Sequence, residues 1–192
     1  MMTVSTETLT PNQAARRARV LDAAMELAAE GGYDAVQMRD VATRAQVALG
    51  TIYRYFASKD HLLAAGQVEM WRAQAERLHE RPPEGSTPSD RVVALLGRSM
   101  RGALTEPQRT AALVTACASP DPAVRDCQAE MMSIMDEVLQ AAMTDVEAVR
   151  REAVAVTLRQ VWFAWLLGWV NGWNDAATVN RQLETATRLL LD

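Results

Sequence analysis

Between Gln37 and Lys59 the chain reads QMRDVATRAQVALGTIYRYFASK, and no other stretch constrains its fold as tightly. Met38–Arg44 has helical spacing, Ala48–Phe56 has it again, and only Ala45-Gln46-Val47 lies between them. A joint that short makes two helices cross steeply, as in a helix-turn-helix. Val41, Ala42, Ala45, Val47, Ile52 and Phe56 can close over one small core. Left outside it are Arg39, Thr51, Tyr53, Arg54, Tyr55 and Lys59, side-chain types that phosphates and base edges engage. The expectation is a DNA reader, with the rest of the chain built to control it.

The flanking sequence supplies further helices. Gln13–Glu30 puts Val20, Leu21, Ala24, Leu27 and Ala28 on one helical face, with Asn12 as the N-cap and Gly31-Gly32 as the stop. Tyr33 and Val36 are expected to dock the connection on the core. Ser58 caps a fourth helix from Lys59 to about Arg81, which Pro82-Pro83 ends, and PPEGSTPS reads as a linker. A fifth helix covers Asp90–Thr105, begun by Thr87 or Ser89. The sixth runs from Pro107 to near Ala118, and the seventh from the Ser119-Pro-Asp-Pro break to about Met143. Asp145 is the expected cap of an eighth helix ending near Trp169, and a ninth spans about Ala177–Leu191. β-branched residues never alternate in runs. The fold class is therefore all-α, with about nine helices, and the first eleven residues, polar and aperiodic, are expected to be disordered.

Charge argues weakly against nucleic acid. The net charge is −4, and the residues up to Leu63 hold seven basic and seven acidic side chains. A neutral segment can still bind DNA if its basic residues share a face. Arg16, Arg17 and Arg19, at the start of the first helix, are either a solvated basic turn or backbone-phosphate contacts; Arg44 and Arg54 are open in the same way. Gly50 costs about 1 kcal/mol relative to Ala inside a helix. It is explained either by close approach of the backbone to DNA or by tight packing against the first helix.

Other classes find little support. His61 and His79 are the only histidines and match no metal or nucleophile pattern, and no GxSxG, P-loop or dinucleotide fingerprint is present. The chain is expected to be no enzyme and to hold no cofactor and no metal; His61 reads as a surface residue of the fourth helix. Cys117 and Cys127 form neither a CxxC nor a disulfide framework, which suits a reducing cytosol. MMTVSTETLTPNQ has no signal-peptide features, and the apolar run Val161–Val170 is about half the ~20 residues a membrane-spanning helix needs. A soluble, cytoplasmic protein without a membrane partner is expected; a helical interaction module that does not touch DNA is the remaining alternative.

Two apolar features lie beyond the reader. Trp162, Trp165, Trp169 and Trp173 follow helical spacing and form either a core or dimer seam, or in part a cavity wall. Met100, Leu104, Leu113, Val114, Cys117, Met131, Met132, Met135 and Met143 are either ordinary core or the adaptable wall of a pocket. No charged side chain is obviously an anchor there, although Arg159 lies just before the tryptophans. A ligand of such a pocket would be large and mostly apolar.

GTIYRYFASKDHLL resembles the TetR family of transcriptional regulators, through Thr51, Ile52, Tyr53, Tyr55, Phe56 and Lys59. The motif covers about residues 12–65. The resemblance implies an N-terminal three-helix helix-turn-helix DNA-binding domain, here 12–58, and a C-terminal helical effector-binding and dimerisation domain, here 59–192. It implies base and phosphate contacts from Gln37, Met38, Arg39, Ala48, Leu49, Gly50, Thr51, Tyr53, Arg54, Tyr55 and Lys59, with Arg39 leading the base readers and Tyr53 and Lys59 matching the family's phosphate clamps. A homodimer on double-stranded operator DNA follows, joined by the last two helices, with Trp165, Trp169, Trp173, Leu183, Ala186, Leu189 and Leu190 in the seam. The effector pocket would draw on Met100, Leu104, Leu113, Val114, Cys117, Met131, Met135 and Trp162. The chain departs from the family at Gln46, where glycine is usual, and at Ala48, where a serine cap is usual. Gln46 must take a left-handed conformation or sit in a different turn. With GGYDAVQMRDVATRAQVALGTIYRYFASKDHLL and the later VW…LL.W, these departures are similar to the actinobacterial cholesterol-catabolism repressor (KstR-like) subgroup. That implies repression relieved by a steroid or acyl-CoA type effector; a TetR-type regulator of another efflux or catabolic pathway is the alternative.

Overall fold

A computed structural model describes residues 9–192, so most of the segment expected to be disordered lies outside the described residues. Among the described residues the chain is all-α: α1 (Pro11–Ala35), α2 (Met38–Arg44), α3 (Leu49–Tyr55), α4 (Lys59–Glu80), α5 (Pro88–Thr105), α6 (Pro107–Cys117), α7 (Pro122–Ala141), α8 (Ala148–Val170) and α9 (Ala176–Leu191).

Three helix starts differ from expectation or choose between alternatives. α1 begins at Pro11, not after Asn12. Thr10 accepts from the Gln13 amide while the Gln13 side chain accepts from the Thr10 amide, a reciprocal capping box. The cap of α8 is Glu147, whose carboxylate accepts from Val149 and Arg150 amides; Asp145, the expected cap, is ion-paired with Arg91 instead. α5 starts under Thr87, whose hydroxyl accepts from the Asp90 amide. α1 is interrupted where the sequence places its stop: Gly31 and Gly32 leave helical geometry, Gly32 at φ +70°.

The chain forms two compact units. The first comprises the described residues up to Met70 together with Glu106–Glu130; the second comprises Trp71–Thr105 and Met131–Asp192. The division therefore falls within α4 and α7 and does not coincide with the boundary at 58/59 read from the sequence. The physical reason is α6, which packs along α1 and joins the N-terminal core. That core buries Val20, Val36, Val41, Ile52, Phe56, Leu62, Leu63 and Ala112.

The second unit is held by α5 and α8 against α9. α8, at 23 residues, is by length and composition apolar enough to cross a membrane, which the short run Val161–Val170 did not disclose. Its inward face contains Arg159, 9% exposed and ion-paired to Asp136 at 2.7 Å, with Val154, Leu158, Trp162 and Leu166. A helix divided in this way is accounted for as one wall of a helical core.

Candidate nucleic-acid interface and ligand core

The joint between α2 and α3 is a Schellman turn. Val47 N–H donates to Ala42 O at 3.0 Å, Gln46 N–H donates to Thr43 O at 3.2 Å, and Gln46 takes φ +54°. Of the two conformations open to Gln46, the chain adopts the left-handed one. Ala48 caps α3 without a side-chain hydrogen bond, as its methyl dictates.

Around this joint the expected site residues divide. Gln37, Arg39, Ala48, Gly50, Tyr53 and Arg54 are exposed. The Arg39 guanidinium makes no hydrogen bond or ion pair with any described residue; only its carbonyl is engaged, by Thr43. Gln37 is the N-cap residue of α2, its side-chain amide donating to Asp34 O. A methyl group added at Gly50 would meet no atom within 4 Å, which removes tight packing against α1 as the reason for that glycine. Thr51 is half-buried. Met38, Leu49 and Tyr55 are packed against the core, because each lies on the inner side of a helix only seven residues long.

The cations are less available than their sequence implies. Lys59 Nζ lies 3.6 Å from the centre of the Tyr33 ring and donates to Tyr33 O at 3.1 Å. Beside it Tyr33 Oη donates to Asp60 Oδ1 at 2.5 Å, and that bond, ahead of burial, pushes the phenol up to about 12. These contacts fasten the end of α1 to the start of α4. Arg54 lies over the Tyr55 ring at 5.0 Å. Arg44 forms a two-pronged pair with Glu30 at 2.7 and 2.9 Å, Arg17 pairs with Glu69 at 2.8 Å, and Arg19 donates to Ala45 O. Arg16 stays exposed.

His61 is buried, not a surface residue. Its Nδ1 accepts from the Ala57 amide at 3.1 Å, its ring meets Phe56 edge-on, and Ser58 Oγ caps its amide while donating to Asp121. Burial lowers its pKa, Arg17 adds to that, and Asp121 opposes it.

The expected pocket residues fall in both units. Leu113, Val114 and Cys117 belong to the first, where the Cys117 thiol donates to Gln67 Oε1 and burial pushes it up to about 12. Met100, Leu104, Met131, Met135 and Trp162 belong to the second, all buried except the half-buried Leu104. Two cavities of the second unit are lined by other residues. A groove of about 480 Å³ runs along Leu96, Gly97, Arg98, Arg101, Asn180 and Leu183. A cavity of about 740 Å³ is bordered by Leu78, Pro82, Pro83, Leu95, Val138 and Ala142.

The tryptophans do not form one stripe. Trp162 is buried and Trp165 and Trp169 are half-buried, whereas Trp173 lies past the Asn171 cap of α8 and is 72% exposed. Leu183 is buried within the chain, and Ala186 and Leu190 are half-buried. A face that sequence reasoning missed is Val149, Val156 and Phe163 on α8, whereas Leu189 of α9, expected in the seam, is 81% exposed. The signal was present as a spacing of seven, which keeps residues on one side of a helix.

Two family models match the chain: bacterial regulatory proteins of the tetR family over residues 20–65, and the tetracyclin repressor-like C-terminal domain over 85–190. The HTH-type transcriptional repressor KstR of Rhodococcus jostii is 38% identical over 182 residues, 93% of this chain and 84% of that protein. Among solved structures, a TetR transcriptional regulator from Rhodococcus sp. RHA1 aligns with TM-score 0.84 at 30% identity, over 94% of this chain and 97% of that one. FadR from Bacillus subtilis, solved with stearoyl-CoA, shares the fold at TM-score 0.65 and 20% identity, over 91% and 97% of the two chains.

Proposed function

Because the chain belongs to the tetR family of bacterial regulatory proteins, we propose that it is a ligand-responsive repressor that binds operator DNA as a homodimer through α2 and α3. The observation that carries the reading is the outer surface of those helices. Arg39 presents an uncommitted guanidinium, Gly50 leaves the backbone of α3 open, and Tyr53, Arg54, Ala48 and Gln37, on or at the starts of the same two helices, are exposed as well. A guanidinium there can hold guanine O6 and N7 together, while Tyr53 and Thr51 meet phosphates or a thymine methyl. Lys59 reaches a phosphate only by leaving the Tyr33 ring.

Residues 12–58 serve as the DNA-binding part and 59–192 as the effector and dimer part, in a cytoplasmic protein. The outward face of Val149, Val156, Phe163 and Leu189 gives the seam its apolar content, joined by Trp165, Trp169 and Trp173, with Ala186 and Leu190 beside them. A seam there would bury the outer apolar side of α8 against a second copy. The effector is large and mostly apolar, of steroid or acyl-CoA type. The KstR relatives support repression, and FadR, which shares the fold and was solved in complex with stearoyl-CoA, supports an effector of acyl-CoA type. Release follows if the effector binds the form of the protein that does not fit DNA more tightly than the form that does.

A gel-shift with duplex from upstream of the protein's own coding region, repeated with increasing steroid or acyl-CoA, tests this. Specific retardation reversed by one of these compounds is expected. Retardation no stronger than on a scrambled duplex would refute DNA recognition.

A further inference from the structure

One face of α8 carries a buried hydrogen-bond donor without an acceptor, Trp162 Nε1–H, and beside it an arginine whose guanidinium is only partly committed. Trp162 is 5% exposed, and its indole Nε1–H meets no acceptor among the described residues. One turn earlier, Arg159 is 9% exposed; its Nε donates to Asp136 Oδ1 at 2.7 Å, and its two terminal nitrogens make no hydrogen bond to any described residue. The i, i+3 spacing puts both groups on the same side of the helix. The Trp71 ring stands edge-on to Trp162, centres 5.6 Å apart, and fixes the indole; a contact between the indole N–H and a ring face would be weak in any case.

A buried donor without an acceptor costs about 1–3 kcal/mol. The unit that holds the pair also buries three deformable apolar side chains, Met100, Met131 and Met135. Unbranched thioethers can rearrange around an apolar body. Charge narrows the choice of acceptor. Arg159 is already neutralised by Asp136, so a ligand carboxylate would add an uncompensated negative charge beside that aspartate. An amine or ammonium head is all donor and finds only donors. A neutral carbonyl oxygen, which accepts and carries no charge, satisfies both.

We propose that Arg159 and Trp162 are the polar anchor of the effector site and hold a neutral carbonyl oxygen, such as that of an ester, thioester or ketone, on an otherwise apolar ligand. The proposal rests on the ligand-responsive reading and assigns it a head-group chemistry.

Three probes of equal chain length separate the possibilities: methyl dodecanoate, dodecanoate and dodecylamine, measured by equilibrium dialysis against the full chain. The ester is expected to bind at least about tenfold more tightly than the other two. Trp162→Phe, which keeps an aromatic side chain while removing the N–H and one ring, should weaken ester binding at least about tenfold, the value of one hydrogen bond. Without ligand the same variant trades relief of an unsatisfied donor against lost packing volume, so the deciding readout is the ranking of the probes, which a purely structural indole would leave unchanged. Equal ester affinity in Trp162→Phe, preference for dodecanoate or the amine, or binding of none of the three would each overturn the anchor. Operator release read in parallel separates the two layers. If some other apolar compound releases DNA while the ester does not bind, the anchor fails and the repressor reading stands. If no duplex is bound specifically at all, the reading beneath it fails.

Discussion

Gly50→Ala should move stability and DNA affinity in opposite directions. Gly50 occupies the second residue of α3, and a methyl group there meets no atom of the chain within 4 Å. The fold therefore has no steric objection to alanine, and helix propensity favours it by up to about 1 kcal/mol. Close to the helix start the gain should be about half that, so the midpoint of thermal unfolding should rise by about 1–2 °C in a chain of this size. On DNA the sign should reverse. If α3 faces the groove as proposed, the methyl holds its backbone away from it. An affinity loss of about tenfold, or 1.4 kcal/mol, is expected, for every sequence alike. Thermal unfolding by circular dichroism and a fluorescence-anisotropy titration of labelled duplex give the two numbers on one preparation. Unchanged affinity would place Gly50 away from the DNA and refute the geometry argued for α3. A fall in both quantities would mean that the glycine is structural after all.

Gln46→Gly should stabilise the protein by about 1 kcal/mol, because the left-handed φ of +54° costs an ordinary residue about 1–2 kcal/mol and glycine nothing comparable; chemical denaturation would show it, and a loss of stability would contradict the turn geometry. Ala48→Ser should add about 1 kcal/mol by supplying the missing cap to α3, detected as a higher melting point, and no gain would mean the cap geometry is unsuitable for serine. The depressed pKa of His61 fixes a pH dependence. Its contribution to stability is fully present above the ordinary histidine value of about 6.5 and is lost as pH falls from there through the lower folded value, since the unfolded chain takes the proton first. His61→Gln should flatten the melting profile in that window; an equally steep profile in the variant would assign the loss to other groups.

How legible the protein was depended on which force fixes each feature. Helix number and order follow from apolar spacing and from Pro and Gly stops, and these are local. The strain at Gln46 was legible only as one of two options, since a three-residue joint leaves few backbone solutions but not a single one. The cap of α8 was misread because Asp145 and Glu147 are both competent acceptors, and only Arg91, distant in sequence, decides between them. His61 looked like a solvated residue for the same reason: its partners Phe56, Ala57 and Asp121 are gathered by the turn into α4 and by the start of α7. Periodicity also overstated the tryptophan stripe, because Asn171-Gly172 ends α8 before Trp173 can continue it. The division of the chain was hidden for a related reason: α6 follows the linker in sequence and yet packs on α1.

The central claim, that α2 and α3 read base sequence, is tested most directly by selecting bound duplexes from a random library with wild-type protein and with Arg39→Ala. Wild-type selection should return a palindromic consensus. Arg39→Ala should lose preference at one position in each half-site, at a cost of about 1–3 kcal/mol, with the other positions intact. A variant that returns the same consensus with uniformly weaker binding would contradict the assignment of Arg39 as a base reader.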